Sequence, residues 1–367
     1  MADDRGENGR MELAEAPTLG WAQAADWLEG DRLGLGEDGE PAVPLVFVDL
    51  DAPASHTALD RLPGVVRAVN ASNRVVIGIA EHGVPAGLLP LAGALTCTLV
   101  GGGAERLPVT QVAVTDVALA CRAIDATISN APRAAVTLAG LLRLTSATTV
   151  RSGLMAESLA YSMLLAGPEF GRWKASHPRP DRPPLPDPAV AVRRIRNELH
   201  VTLNHPARHN AFGQQIRDGL ASALDGALAD ASITGIRLSG AGPSFCSGGD
   251  LDEVGTVQDV SGSHLVRLDR SVAARAEACR SRLRALVHGA CIGAGVEIPA
   301  FAGRVESRDD AFFQLPELAM GLIPGSGGTV GITRRIGRWR TAYLALSGIR
   351  LHVSTALTWG LVDNVIG

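Results

Sequence analysis

Lysine is almost absent from this chain. Arginine supplies nearly all of the 34 basic residues, and Lys174 is the single lysine. No G-x-x-x-x-G-K-S/T segment exists, which excludes P-loop phosphate chemistry. A pyridoxal-type Schiff base would have to form on Lys174, which stands beside a proline-rich stretch, a poor setting for a buried amine. The five cysteines (Cys97, Cys121, Cys246, Cys279 and Cys291) are odd in number, scattered, and lack a C-x-x-C pair. That excludes a disulfide or zinc framework and fits a reducing, cytoplasmic setting. An excess of positive charge is also missing: the formal net charge is −4, which argues against a nucleic-acid partner. The first ten residues are too polar for a signal peptide. The longest uncharged apolar run, 84–104, is long enough to span a membrane. It contains Pro85, Pro90 and five glycines, so it reads as buried strands and turns, and no membrane association is expected. The nine histidines show no metal spacing; His205 and His209 flank a proline turn, and no metal is expected.

What is present is an ordinary globular composition, 46% hydrophobic and 20% charged, in a chain of 367 residues. That length suggests about two domains. Residues 1–40 carry eleven acids and three arginines and read as a solvated acidic segment, although Trp21, Trp27 and Leu28 could form a short amphipathic helix. Residues 41–104 hold β-rich runs at 44–50, 74–80 and 94–100, with a helix near Ala58 to Asn70, so a small α/β layer is expected. Residues 105–178 read as helical. Asp116 can start a helix carrying Val117, Cys121, Ile124 and Ile128, and further helices are expected over 134–144 and 154–166, the last ended by Gly167-Pro168. Six prolines between Pro178 and Pro188 mark a stiff linker over 179–189. In 190–367, strands at 198–204, 235–240 and 284–289 alternate with helices, including one from Phe212 to about Ala231. This predicts a mostly parallel sheet.

Four segments of this second unit carry the chemistry: 204–212 (NHPARHNAF), 240–251 (GAGPSFCSGGDL), 288–298 (HGACIGAGVEI) and 312–329 (FFQLPELAMGLIPGSGGT). Gly248 and Gly249 let the backbone turn sharply and bring its N–H groups close to a ligand. In 288–298 a strand runs through small residues into a helix start, whose N–H groups lack internal partners and attract anions. Two such donors converging on one oxygen form an oxyanion hole. Glu297 and Glu317 beside it suit acid–base work on the carbon next to a carbonyl.

Taken in order, these segments resemble the crotonase superfamily, the enoyl-CoA hydratases and isomerases. The resemblance covers about residues 190–366: N-x-P-x-x-x-N-A, G-A-G-x-x-F-x-x-G-G-D-L, G-x-G-x-E and F-x-L-P-E-x-x-x-G-L-I-P-G-x-G-G-T, then Arg334, Gly337, Ala342 and the closing A-L-T-W-G-L-V-D-N-V-I. It implies an α/β fold with a crotonase-like ββα spiral core. It also implies oxyanion donors at the Gly249 and Ala294 amides, with Ala294 in place of the family's usual glycine, tolerable where φ is negative. Glu297 would orient and deprotonate water and Glu317 would supply the proton to Cα. Ala207, Arg208, Ala211, Ser247, Gly248, Asp250, Leu251 and Gly293 would bind the CoA thioester, with Arg208 the candidate for a CoA phosphate. No cofactor is implied beyond the coenzyme A of the substrate. The family habit implies a homo-oligomer, a trimer or hexamer.

The chain also departs from the pattern. Residues 297–305 replace the usual small apolar run, and Pro299 would fall in the first turn of its helix. The chain stops at Gly367, where family members continue with helices. Residues 153–170 (GLMAESLAYSMLLAGPEF) resemble a crotonase C-terminal region, and the runs at 74–100 resemble a shortened crotonase core without its glutamates. The expected architecture is therefore a catalytic half preceded by a smaller, degenerate α/β plus helical half that supplies the missing helices. Residues 253–284 would line the acyl pocket without an aromatic side chain, suggesting room for a bulky acyl group. Retention of both glutamates favours hydration. The same hole could serve an isomerase, a thioester or C–C hydrolase or a cofactor-free oxygenase, and a non-catalytic acyl-CoA-binding role is the alternative of a different class. Residues 293–298 also form a broken dinucleotide fingerprint, which would explain neither SGGDL nor LPE.

Overall fold

The computed structural model describes residues 15–28, 33–53, 56–102, 107–177, 188–256 and 259–367. Most of the acidic segment before residue 15 and the linker prolines 178–186 lie outside the described residues. The front half is a five-stranded, wholly parallel sheet in chain order: β1 (Thr18–Gly20), β2 (Leu45–Asp49), β3 (Val75–Ala80), β4 (Cys97–Val100) and β5 (Gln111–Ala113). Its central strands are buried on both faces, as a parallel sheet covered on two sides must be. Leu45, Phe47, Val75 and Ile77 face the main core, while Val48, Val76 and Ala80 face a smaller one. Helices α1 (Ala24–Leu28), α2 (Leu62–Ala71) and α3 (Leu89–Ala94) bring Leu28, Val65, Val69 and Leu91 to the smaller core.

This sheet is wider than the sequence suggests. Residues 18–28 are not a solvated tail: Trp21, Ala24 and Leu28 present one apolar stripe, and Trp21 is 2% exposed. At the other end β5 lies beyond the boundary drawn at residue 104.

Four helices follow: α4 (Val117–Asn130), α5 (Pro132–Ser146), α6 (Val150–Leu165) and α7 (Pro168–Ser176). Asp116 caps α4 by accepting from the Leu119 amide, 2.8 Å. α6 ends at Leu165, before Gly167-Pro168 as expected, and Pro168 also starts α7, because proline at the first helical position loses no hydrogen bond.

The second half holds a six-stranded sheet in the order β14-β11-β9-β8-β7-β6. β6 (Val190–Ile195) and β7 (Glu198–Leu203) form an antiparallel hairpin that the parallel reading omitted. β8 (Gly235–Gly240), β9 (Leu283–Val287), β11 (Arg304–Arg308) and β14 (Asn364–Ile366) extend it in parallel. A three-stranded sheet, β10 (Ala290–Ile292), β12 (Phe312–Gln314) and β13 (Leu351–His352), carries the loops of the site. Around these lie α8 (Gln214–Ala229), α9 (Val260–Asp269), α10 (Val272–Ala278), α11 (Ala294–Glu297), α12 (Gly328–Ser347) and α13 (Val353–Trp359). Pro299 falls outside α11 and opens a separate 3₁₀ turn, so the expected longer helix is broken there. α12 bends at Gly337, φ 79°.

The two halves share one continuous apolar core reaching from Leu45 and Phe47 to Leu361 and Val362. Polar ties reinforce it. Thr145 Oγ1 donates to the Thr329 carbonyl at 2.8 Å, and Arg338 Nη1 donates to the Leu95 carbonyl at 3.0 Å. None of the helices of the described residues is long and apolar enough to cross a membrane.

Candidate active site

Two glycine turns meet at the centre of the second half. Residues 245–246 pair with the strand edge at 288–292: the Cys246 amide donates to the Ala290 carbonyl (3.2 Å) and the Ile292 amide to the Cys246 carbonyl (3.0 Å). Gly248 then turns with φ +96°, and Gly293 turns with φ +49°. A Cβ added at Gly293 would lie 3.5 Å from Gly248 Cα, so the turns touch, and 2.6 Å from Glu317 Oε1.

These turns set out two backbone donors. The Phe212 amide donates to the Gly248 carbonyl (2.7 Å) and the Asp250 amide to the Phe212 carbonyl (3.1 Å), bracketing Gly249 so that its own N–H takes no part. Ala294 opens α11, and an N–H at that position has no acceptor within the helix. Its φ is not positive, so the side chain in place of glycine is unstrained. Gly249 and Ala294 line one cavity of about 1430 Å³ together with Glu297 and Glu317.

The carboxylates differ in support. Glu297 is 2% exposed, and its Oε2 accepts from the amides of Ser326 (2.7 Å) and Gly328 (2.9 Å). Burial raises its pKa to about 7 against those two bonds. Glu317 opens the 3₁₀ turn after Pro316 and is also buried; its Oε2 has no hydrogen-bond partner. Burial, then the charge of Glu297, hold its carboxyl well above the ordinary carboxylate range. One group is thus poised near neutrality and the other kept protonated, the division that acid–base pairs require.

A third buried carboxylate, absent from the sequence-based candidates, comes from the front half. Glu157 on α6 accepts from the amides of Gly327 (2.7 Å) and Thr329 (2.9 Å) and from Thr329 Oγ1 (2.6 Å). Burial and the charge of Glu297 raise it to about 8. One turn further along α6, Tyr161 lines the same cavity, as do Leu154 and Phe212. Residues within 253–284 line the cavity and add no aromatic side chain, as expected; the aromatics Tyr161 and Phe212 come from outside that stretch, so its composition alone does not show room for a bulky acyl group. The run 153–170 places Glu157 and Tyr161 on one helical face, four residues apart, but carries no signal of what that face meets.

The remaining candidates divide. Asp250 and Leu251 line the cavity; Ala207, Arg208, Ala211, Ser247, Gly248 and Gly293 do not. Ala207 is exposed on the 3₁₀ turn Pro206–Arg208, whereas Ala211 is buried. Arg208 does not project freely toward a phosphate. Its Nη1 pairs with Asp250 (2.9 Å) and Asp252 (3.3 Å), and its side chain is 12% exposed. Ser247 is fixed by its amide to the His209 carbonyl, 2.9 Å. Asn210 ties the neighbouring loops together, accepting from the His205 amide and donating to the carbonyls of Ala241, Ser244 and Phe245. Among the described residues no group of three or more His, Cys, Asp or Glu is arranged to hold a metal. The five cysteines are free and buried.

Comparison with known proteins points to one family. The profile of the family described as Enoyl-CoA hydratase/isomerase matches residues 196–367. A 2,3-dehydroadipyl-CoA hydratase of Escherichia coli (strain K12) is 33% identical over 176 residues, covering 48% of this chain and 68% of the relative. A peroxisomal Delta(3,5)-Delta(2,4)-dienoyl-CoA isomerase of Arabidopsis thaliana is 31% identical, covering 46% and 65%. A solved enoyl-CoA hydratase from Thermoplasma volcanium GSS1 superposes with a TM-score of 0.45 at 28% identity, covering 49% of this chain and 72% of that one. The matching region thus spans about two thirds of each relative, and the front half lies outside it.

Proposed function

Because the chain belongs to the enoyl-CoA hydratase/isomerase family, we propose that it adds water across the 2,3 double bond of an α,β-unsaturated acyl-CoA thioester. The observation that carries this reading is the pairing of Glu297 and Glu317, both buried, on the cavity that Gly249 and Ala294 also line.

In this reading the thioester carbonyl accepts from the Gly249 and Ala294 amides, which stabilise the oxyanion as it develops. Glu297, ionised through the upper part of its titration near pH 7, takes a proton from water as the oxygen attacks C3. Electrons move onto the thioester oxygen, and the resulting enolate collects a proton at C2 from Glu317, which its buried setting keeps protonated. The net change is one water added. The proton gained by Glu297 and lost by Glu317 is then exchanged between them or with solvent before the next turnover.

A double-bond shift would use the same oxyanion hole and carboxylates without water. One relative is named for such an isomerisation and another for hydration. Retention of both glutamates favours hydration, since water addition needs a base for water and an acid for carbon at once. The relatives' acyl groups differ, so none is carried over from them. Turnover on 2-enoyl-CoA thioesters, followed by loss of the conjugated-enoyl absorbance, tests the proposal. Activity abolished by Glu297→Gln and by Glu317→Gln supports it. Binding of the thioester without any turnover removes it in favour of an acyl-CoA-binding role.

A further inference from the structure

Among the described residues, one cation on the cavity wall touches no carboxylate. Arg267, on α9, is packed against α6 of the front half. Its Nε donates to Ser158 Oγ (3.1 Å), and its Nη2 donates to the Ser158 carbonyl (3.4 Å) and to Ser162 Oγ. The guanidinium carbon lies over the Tyr161 ring, 5.0 Å from its centroid. Nη1 makes no hydrogen bond, and among the described residues Arg267 forms no ion pair with a carboxylate. The other arginines lining the cavity are placed differently. Arg217 pairs with Asp218, Arg270 pairs with Asp269, and Arg151 is exposed. The charge of Glu157 reaches Arg267 only at a distance, and no carboxylate contacts the guanidinium, so an anion that enters and pairs with it directly is stabilised.

The position of Arg267 relative to the reacting groups gives the anion a place in the substrate. Tyr161 touches the turn that holds Glu297: a Cβ added at Gly325, next to Ser326, would lie 2.4 Å from the Tyr161 ring. Arg267 sits over that same ring. It therefore stands one aromatic ring beyond the carboxylates, on the same cavity, where the far end of a short acyl chain would reach.

We infer that Arg267 is a specificity-determining residue that selects thioesters whose acyl chain ends in a carboxylate. The planar guanidinium suits that group, with Nη1 free to donate to it. The inference rests on the acyl-CoA reading of the site and not on the hydration step.

The test measures affinities by calorimetry for saturated CoA thioesters, which cannot be hydrated. Pairs of equal length, at four, six and eight carbons, end either in a carboxylate or in a methyl group. The wild-type chain should bind the carboxylate member of the best-fitting length about tenfold more tightly. Arg267→Met should erase that preference while holding the affinity for the methyl member within about threefold, which also shows that the variant is folded. Equal or weaker binding of every carboxylate member by the wild type overturns the inference, whether or not the variant folds. So does an equal loss for both members in Arg267→Met, the result expected if Arg267 only fastens α9 to α6. Turnover of the matching 2-enoyl thioesters is read separately. An Arg267-dependent preference with no hydration removes the hydratase reading and keeps the inference, whereas no binding of any CoA thioester removes both.

Discussion

Glu157 and Glu297 are held by alternate amides of a single turn. Glu297 takes the N–H groups of Ser326 and Gly328, and Glu157 takes those of Gly327 and Thr329. The turn leads into α12, so both carboxylates lie at the positive end of one helix dipole. That end favours negative charge, but burial and mutual repulsion oppose two full charges there. The front half therefore contributes to the electrostatics of the site as well as to its wall.

Replacing Glu157 should alter both function and stability. Glu297 ionises first, at about 7, while Glu157, at about 8, is still neutral, so the repulsion falls on Glu157 and not on Glu297. Glu157→Gln, neutral as well, therefore leaves the acidic limb of the rate–pH profile in place, whereas Glu157→Asp, with a shorter side chain, disturbs the turn that holds Glu297. Glu157→Ala leaves the amides of Gly327 and Thr329 without their acceptors, at ~1–3 kcal/mol each, and should lower the urea midpoint accordingly. An acidic limb moved to lower pH in Glu157→Gln would show that Glu157 is already charged when Glu297 ionises and contradict this order.

Up to about pH 7, stability and activity should run in opposite directions with pH. Glu157 and Glu297 titrate in the folded chain at about 8 and about 7, above their ordinary value of 4.5, so the folded state retains protons that the unfolded state releases. Their contribution to stability is fully present below about pH 4.5 and is lost as pH rises through about 7 and 8. Denaturation midpoints measured from pH 5 to pH 8 should fall, and Glu297→Gln should flatten the trend. The catalytic rate should rise through about pH 7 as Glu297 ionises and decline at higher pH as Glu317 loses its proton.

Gly293→Ala should be disabling although it adds one methyl group. The residue has φ +49°, and its new Cβ would stand 2.6 Å from Glu317 Oε1, forcing apart the acid and the turn that presents the Ala294 amide. A loss in kcat on the order of 10² is expected, with a smaller change in KM. Steady-state kinetics close to wild type would show that Glu317 does not act from this position.

Arg208→Met should unfold more than it unbinds. The substitution strands Asp250, whose side chain is 1% exposed, and breaking such a pair costs ~3–5 kcal/mol. The ratio of kcat/KM for CoA thioesters over their 3′-dephospho counterparts should stay at its wild-type value. A collapse of that ratio would assign Arg208 to the phosphate after all.

Much of this was legible in the sequence for identifiable reasons. β2, β3, β4 and β7 to β9 are runs of β-branched and aliphatic residues bounded by turn formers, and Asp116 announces α4 by its capping side chain. β6 was hidden because it is an edge strand carrying Arg193 and Arg194 toward solvent. β1 and α1 were masked by acidic surroundings, although Trp21 and Leu28 were the signal for their burial. Gly249, Ala294, Glu297 and Glu317 could be read from motifs close together along the second half. Arg267 falls within 253–284, the stretch expected to line the acyl pocket, whereas Glu157 and Tyr161 could not be placed in the site that way. One glutamate on a helix looks the same in sequence whether it faces water or a second carboxylate, and that difference is decided by packing between distant segments.

The most direct test of the account is isotopic. A 2-enoyl-CoA thioester is turned over in water enriched in oxygen-18, and the products are read by mass spectrometry. The account predicts one heavy oxygen, as a hydroxyl on C3 of an intact thioester, and none of this product in Glu297→Gln. A shifted double bond without heavy oxygen, or heavy oxygen in a released carboxylate with free coenzyme A, would contradict it.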